Sequence, residues 1–304
     1  MGDVGRRAMN RLPYLSQRLF NTPLCIHPAK VEVIIAALAE RLGVTSLTRI
    51  SGETIRPSPM AFYDEDDDGE FYREGEVPDA GYDLINGVAV IPITGTLVQK
   101  LGGVRPWSGM SGYNGIRNAF RCALEDPGAK AIVLDIDSPG GEVAGCFDLV
   151  DTIYQGRGPK PIHAVLNEVA YSAAYAIASA ADRVIVPRTG GVGSIGVMAV
   201  HVDFSKALDN AGMKVTFIQC GANKTDGAPE KPLSDTALAR FQGDIDFLGD
   251  IFFDLVARNR KLTRQAVKDT EAATYLGKDG VALGLADAVM PPQDAFRELQ
   301  DSLA

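Results

Sequence analysis

From position 87 onward, short apolar runs alternate with segments whose apolar residues recur every three or four positions. That is the pattern of an α/β domain in which strands and helices take turns. It predicts strands over 88–93 and 131–135 with a helix over 112–125 between them. A helix over 143–154 follows, then a strand over 162–166, an alanine-rich helix opening at Ser172, and strands over 184–186 and 195–202. Beyond these, Asp203 caps a helix to Asn210, 215–218 reads as a strand, Ser234 caps a long helix to about Arg260, and Thr263 caps a short one. Upstream, 28–42 is an amphipathic helix with Val31, Ile34, Ile35, Leu38 and Leu42 on one face and a stop at Gly43. Four regions result: a helical arm over 1–50, an acidic linker over 51–83, the α/β domain over 84–292 and a tail over 293–304.

Composition narrows the function classes. The chain has 304 residues, 46% hydrophobic and 23% charged, the balance of a soluble globular protein. Its net charge of −9 gives no electrostatic footprint for nucleic acid and would repel an anionic lipid surface. Asp64, Glu65, Asp66, Asp67 and Asp68 read as a solvated run rather than a metal site. No stretch approaches the ~20 apolar residues of a membrane span. Arg6, Arg7 and Arg11 resemble the start of a signal peptide, but Pro13, Gln17, Arg18, Asn21 and Pro23 break the run that follows. Cys25, Cys122, Cys146 and Cys220 are scattered without a paired motif, so reduced, mostly buried thiols are expected and neither a metal nor a cofactor is.

Three local features carry chemistry. Asp137-Ser138-Pro139-Gly140-Gly141 follows an apolar strand, and two glycines at a strand-to-helix turn leave backbone N–H groups able to hold an oxyanion, or simply make a tight turn. Ser172 opens the helix Ala173-Ala174-Tyr175-Ala176-Ile177-Ala178, a setting that suits either a nucleophile or an N-cap. Lys224 lies in the loop Gly221-Ala222-Asn223-Lys224, as a solvated lysine or as a base.

Together, DIDSPGG, YSAAYAIASAADRVIV, GSIGV over 193–197 and the GANK loop, in this order and at these intervals, resemble the signal peptide peptidase A family of Ser-Lys proteases. The resemblance spans roughly 87–289. LPYLSQRLFNTPLCIHPAKVEVIIAALAERLGV, SGMSGYNGI and KTDGAP are similar to its phage capsid-assembly, or head maturation, branch. Some relatives continue into a carboxy-terminal scaffolding segment, whereas this sequence stops at Ala304, which puts a fused scaffold in doubt. The resemblance implies Ser172 as nucleophile, Lys224 as general base and the N–H groups of Gly141 and Ala173 as oxyanion hole, with Gly140 and Ser194 lining the substrate groove. It also implies a ClpP/crotonase-like spiral core of β-β-α units, assembled into a ring- or dome-shaped homo-oligomer in which serine and lysine come from adjacent subunits. The implied substrates are scaffold and portal proteins and the chain itself. The implied place of action is the host cytoplasm, inside the prohead, with no nucleic acid, membrane, metal or cofactor involved.

A free lysine titrates at ~10.4 and a working base near ~7 to 8, so such a site must disfavour the ammonium by about 4 kcal/mol. Asp226 must therefore turn its carboxylate away from Lys224. The rival base is His201, oriented by Asp203 or Asp209 in a Ser-His-Asp arrangement. His27 and His163 read as structural, Lys214 and Lys231 as solvated, and Ser194, between glycines, as backbone-shaping. Three other functions stay open. They are a bacterial signal-peptide-degrading peptidase, a crotonase-type acyl-CoA enzyme using Glu142, and a catalytically idle assembly module.

Overall fold

The computed structural model describes residues 22–28, 30–31, 34, 47–48, 54–55, 80–101 and 109–303. The acidic run over 64–68 lies outside them, as does most of the helix expected over 28–42, of which Pro28, Lys30, Val31 and Ile34 are helical. Two compact units make up the chain. The larger comprises Cys25–Gly196 and Phe252–Ala304, the smaller Met1–Leu24 and Val197–Ile251.

The strands in chain order are β1 (Leu24–Ile26), β2 (Leu47–Thr48), β3 (Thr54–Ile55), β4 (Asp83–Ile85), β5 (Val88–Val98), β6 (Met110–Gly112), β7 (Ala131–Glu142), β8 (Ile162–Tyr171), β9 (Arg183–Val186), β10 (Gly191–Gly193), β11 (Thr274–Leu276) and β12 (Ala288–Val289). The helices are α1 (Tyr113–Glu125), α2 (Cys146–Gln155), α3 (Ala173–Ser179), α4 (Ser205–Asn210), α5 (Asp235–Arg260), α6 (Arg264–Lys268), α7 (Gly277–Ala282) and α8 (Pro292–Ser302).

In the larger unit, β5, β7 and β8 run parallel at the centre of a sheet, with the path β11-β10-β8-β7-β5-β4. β6 joins β5, and β9 joins β8 and β12, also in parallel, while β4 and β11 are antiparallel edges. Parallel strands need crossovers, and α1, α2 and α3 supply them in turn. The outcome is the expected α/β core of repeated strand and helix units. Ile132, Leu134 and Ile136 are fully buried and Val133 nearly so, which is why β7 reads as a continuous apolar run rather than an alternating one. α1 buries Ile116, Ala119, Phe120 and Ala123, one stripe at helical spacing. The tail over 293–304 is the helix α8, whose Ala295 and Leu299, four apart, pack on Val88, Val133, Val165 and Ile185.

One ion pair ties the end of α5 to the sheet. Arg260 donates to both carboxylate oxygens of Asp287 at 2.7 and 2.9 Å and to the Gly284 carbonyl, while the Val184 N–H donates to Asp287 at 2.7 Å. Burial alone would raise the Asp287 carboxyl, but Arg260 and the Val184 N–H outweigh it and hold it below the usual range. A depressed folded value contributes stability that is present above the unfolded value of ~3.9 and lost as pH falls through the folded one. Arg260→Met is expected to cost about 2–3 kcal/mol at pH 7, less than a fully buried pair because Asp287 is 36% exposed. The deficit should shrink as the pH falls below about 4, which urea unfolding at a series of pH values checks.

In the smaller unit, Leu24 and Met198 form an antiparallel bridge with N–H to O distances of 2.8 and 2.9 Å. Two expected strands differ here. Over 195–202 there are bridges at Met198 and Val200 rather than a strand, and 213–219 has no regular structure. Ser234 caps α5 as expected, accepting from the Ala237 N–H at 3.2 Å, whereas α4 has Phe204 at its N-cap and the expected cap, Asp203, stands one residue earlier and accepts from the Ser205 N–H at 2.8 Å. In the larger unit Thr263 likewise accepts from the Ala266 N–H at 3.1 Å. Among the described residues no helix is long and apolar enough to cross a membrane.

Candidate functional site

β8 ends at Tyr171 and α3 begins at Ala173, leaving Ser172 alone to turn the chain. It does so at φ 55° and ψ −118°, a conformation that costs a non-glycine residue about 1–3 kcal/mol and persists only where its surroundings enforce it. Here the Ser172 N–H donates to the Gly193 carbonyl at 2.9 Å, and the Ser172 carbonyl accepts from the Ala176 N–H at 2.9 Å. All seven residues of α3 are buried. Their small side chains let the helix sink into the core, where Tyr175 donates to the Leu285 carbonyl at 2.9 Å and Asn259 donates to the Ser179 hydroxyl at 3.0 Å. A hydroxyl on a sharp strand-to-helix turn, facing the positive end of a helix, is the arrangement that presents a nucleophile. The Ser172 hydroxyl donates a long hydrogen bond to the Gly196 carbonyl at 3.4 Å, and the residue is 1% exposed.

The Asp137–Gly141 stretch differs from the expected turn, since β7 stays extended through Glu142. The register slips between Ile136 and Ser138, and Gly140 takes a φ of 101°, so the strand absorbs the irregularity as a bulge without ending. Ser138 fixes the bulge by donating to the Gly95 carbonyl at 2.7 Å and accepting from the Gly140 N–H at 3.1 Å. The two glycines serve different contacts. A Cβ on Gly141 would lie 1.8 Å from the Leu97 carbonyl oxygen, so that glycine lets β5 and β7 close. A Cβ on Gly140 would lie 3.1 Å from the Ser172 Cβ and 2.9 Å from the Tyr171 carbonyl oxygen, so Gly140 is the glycine that abuts the serine. Ser194 follows Gly193, which is in register with Tyr171 across the β8–β10 ladder. Its own φ of 54° and its N–H bond to the Ala273 carbonyl at 2.8 Å match a backbone-shaping role. Ser172, Ala173, Gly140, Gly141 and Ser194 all belong to the larger unit, around the head of α3.

Glu142 is 8% exposed and accepts from the Gln99 N–H at 2.7 Å, while its carbonyl accepts from the Tyr113 hydroxyl at 2.7 Å. Its carboxylate ties β5 to β7, which leaves the acyl-CoA reading without its acid.

Sequence reasoning missed Cys25. It is fully buried, and its thiol lies within hydrogen-bonding reach of the Ser172 hydroxyl. Burial pushes the thiol well up, with Cys146 adding to it and the Ser172 contact opposing. Beside it, His27 stacks on Tyr171 with ring centroids 5.1 Å apart and donates its N–H to the Pro139 carbonyl at 2.8 Å. A three-residue strand has no period to read. The available signal was the pair Pro23 and Pro28, which bracket an extended segment.

Lys224 belongs to the smaller unit, exposed on the turn over 221–227, with its N–H donating to the Gly221 carbonyl at 3.1 Å. The loop around it is organised. Gln219 donates to the Ala222 carbonyl at 3.0 Å, Thr225 donates to Gln219 at 2.6 Å, and Lys231 donates to Thr225 at 2.7 Å while lying 5.6 Å from the Phe217 ring centre. Lys231 is therefore a half-buried strut rather than the solvated residue expected. Asp226 pairs with Arg240, so its carboxylate does turn to another partner. His201 is half-buried in irregular chain, and Asp203 is engaged just ahead of α4 by Ser205, whose hydrogen bonds hold its carboxyl down with a smaller contribution from His201. His163 sits on β8, where burial first and then Arg183 push its imidazole down.

The geometry has counterparts among known proteins. The model of peptidase family S49 matches residues 156–304. Capsid assembly protease C of Escherichia phage lambda is 38% identical over 300 residues, 97% of this chain and 67% of that protein. Head-tail preconnector protein GP5 of Enterobacteria phage P21 is 39% identical over 292 residues, 96% of this chain and 58% of that one. The chain thus spans about two thirds or less of the length of these relatives. A ClpP1 mutant from Listeria monocytogenes aligns with a TM-score of 0.42 at 12% identity, covering 67% of this chain and 92% of that one.

Proposed function

The chain belongs to peptidase family S49, and from that premise we propose that it is a serine endopeptidase of phage head maturation, with Ser172 as nucleophile and Lys224 as general base. The observation that carries the proposal is Ser172 itself, held at a φ of 55° at the head of a fully buried helix and against Gly140. Neutral Lys224 takes the Ser172 proton as the hydroxyl attacks a peptide carbonyl. The oxyanion is held by the N–H groups of Gly141 and Ala173, the second at the positive end of α3. Lys224 then protonates the leaving amine, and water activated by the same base hydrolyses the acyl-enzyme. Gly140 and Ser194 line the groove.

Lys224 reaches Ser172 from an adjacent subunit of a ring- or dome-shaped homo-oligomer. The single chain supports association, because Met213, Val215, Phe217 and Ile218 are exposed in the segment just before the Lys224 loop, Ile218 completely. An exposed apolar run of this kind is suited to burial against another copy. The substrates in this reading are scaffold and portal proteins and the chain itself, as the sequence resemblance implies; the name of the phage lambda relative supports a role in capsid assembly. The place of action is the host cytoplasm, inside the prohead.

Incubation with purified portal and scaffold proteins, followed by mass spectrometry of new termini, tests this reading. Cleavage by the wild-type oligomer and none by Ser172→Ala is expected. Intact substrates with both proteins, or identical fragments from both, would refute it.

A further inference from the structure

β1 crosses the chemistry just described. Cys25 and Ile26 are 0% and 5% exposed, and β1 pairs with β7, where the His27 N–H bonds the Pro139 carbonyl at 2.8 Å. The Cys25 carbonyl oxygen lies 2.3 Å from where a Cβ on Gly140 would stand. The missing side chain of Gly140 is therefore the space into which this peptide backbone fits. His27 stacks on Tyr171, the residue before the nucleophile, and the Cys25 thiol reaches the Ser172 hydroxyl. Ser172 beneath is left 1% exposed.

We infer that residues 25–27 are an internal ligand of the peptide groove: the chain's own extended segment occupies the place that a cleavable peptide must take, and leaves before an external substrate reacts. This rests on Ser172 being the nucleophile. A scissile carbonyl carbon must come within about 3–3.5 Å of the serine oxygen. Cys25 holds that neighbourhood, and His27 holds the main-chain acceptor at Pro139 that an added strand would use. The segment needs no strong contacts to stay, because tethering gives it a high effective concentration. Its backbone and the small Cys25 side chain define what the groove accepts, an extended peptide with a small apolar residue against Gly140.

The test uses the full chain, Cys25→Asp, which places a carboxylate where the thiol is buried, and His27→Pro, which removes the N–H that bonds Pro139. Hydrogen exchange over 24–27 reports whether the segment is bound, and the rate of Ser172 labelling by a fluorophosphonate reports whether the groove is open. The wild type should protect these amides, while both variants lose protection and label about tenfold faster or more, since reactivity scales with the open fraction. Wild-type amides that exchange freely, or variants that free the segment with no change in labelling rate, overturn the inference and leave the nucleophile assignment intact. A Ser172 that stays inert after the segment is freed overturns the nucleophile assignment instead, while wild-type protection still reports a bound segment.

Discussion

Ser172→Ala is expected to reduce peptide cleavage by about ten-thousand-fold or more while the protein still folds and assembles. The loss is large because covalent catalysis has no substitute once the attacking oxygen is gone, and the remaining donors only polarise a carbonyl that nothing attacks. The structural cost is small because the hydroxyl's bond to the Gly196 carbonyl is a long one, 3.4 Å, and its other contact is with the Cys25 thiol, a weak partner. The turn itself is fixed by backbone bonds from Ser172 to Gly193 and from Ala176 to Ser172, which alanine retains. The melting transition should move by no more than the equivalent of about 1 kcal/mol. A cleavage assay read beside thermal unfolding separates a lost nucleophile from a lost fold.

Lys224→Met should lower cleavage by about a thousandfold, and His201→Ala should leave most of it. The lysine is the only basic group on the turn over 221–227, and the loop that carries it is braced by Gln219, Thr225 and Lys231. Asp226, the acid closest to it in sequence, pairs with Arg240, so it is not the group that would hold the lysine charged. Asp203, the carboxylate closest in sequence to the competing imidazole, accepts from the Ser205 N–H at 2.8 Å. If serine and lysine come from different subunits, refolding inactive Ser172→Ala together with inactive Lys224→Met should regain activity, since some interfaces then pair an intact serine with an intact lysine. Activity that survives Lys224→Met and disappears in His201→Ala would select the triad.

The central sheet was legible in the sequence because β5, β7 and β8 each open on an apolar run that is buried or half-buried on both faces, which leaves little choice of element. The helix starts at Ser205, Asp235 and Arg264 were legible for a different reason. The caps Ser234 and Thr263, and Asp203 one residue ahead of the first helix's N-cap, act locally and need no tertiary partner. Residues 215–218 have the composition of a strand, yet a strand needs a hydrogen-bonding neighbour, and within the single chain this segment is exposed and irregular. Gly140 and Gly141 looked like a turn because paired glycines usually make one. In the fold one of them lets two strands close and the other makes room beside the serine, a distinction that depends on neighbours distant in sequence. Cys25 was read only as a buried thiol, since its place over Ser172 follows from a strand pairing across more than a hundred residues of chain.

The most direct measurement is to locate the acyl group during turnover. The oligomer is mixed with a peptidyl p-nitrophenyl ester, quenched in acid in the steady state, digested and mapped by mass spectrometry. The acyl group should sit on Ser172 and be absent from Ser172→Ala. An acyl group on Ser194 or Cys25, or undiminished hydrolysis by Ser172→Ala, would contradict the account.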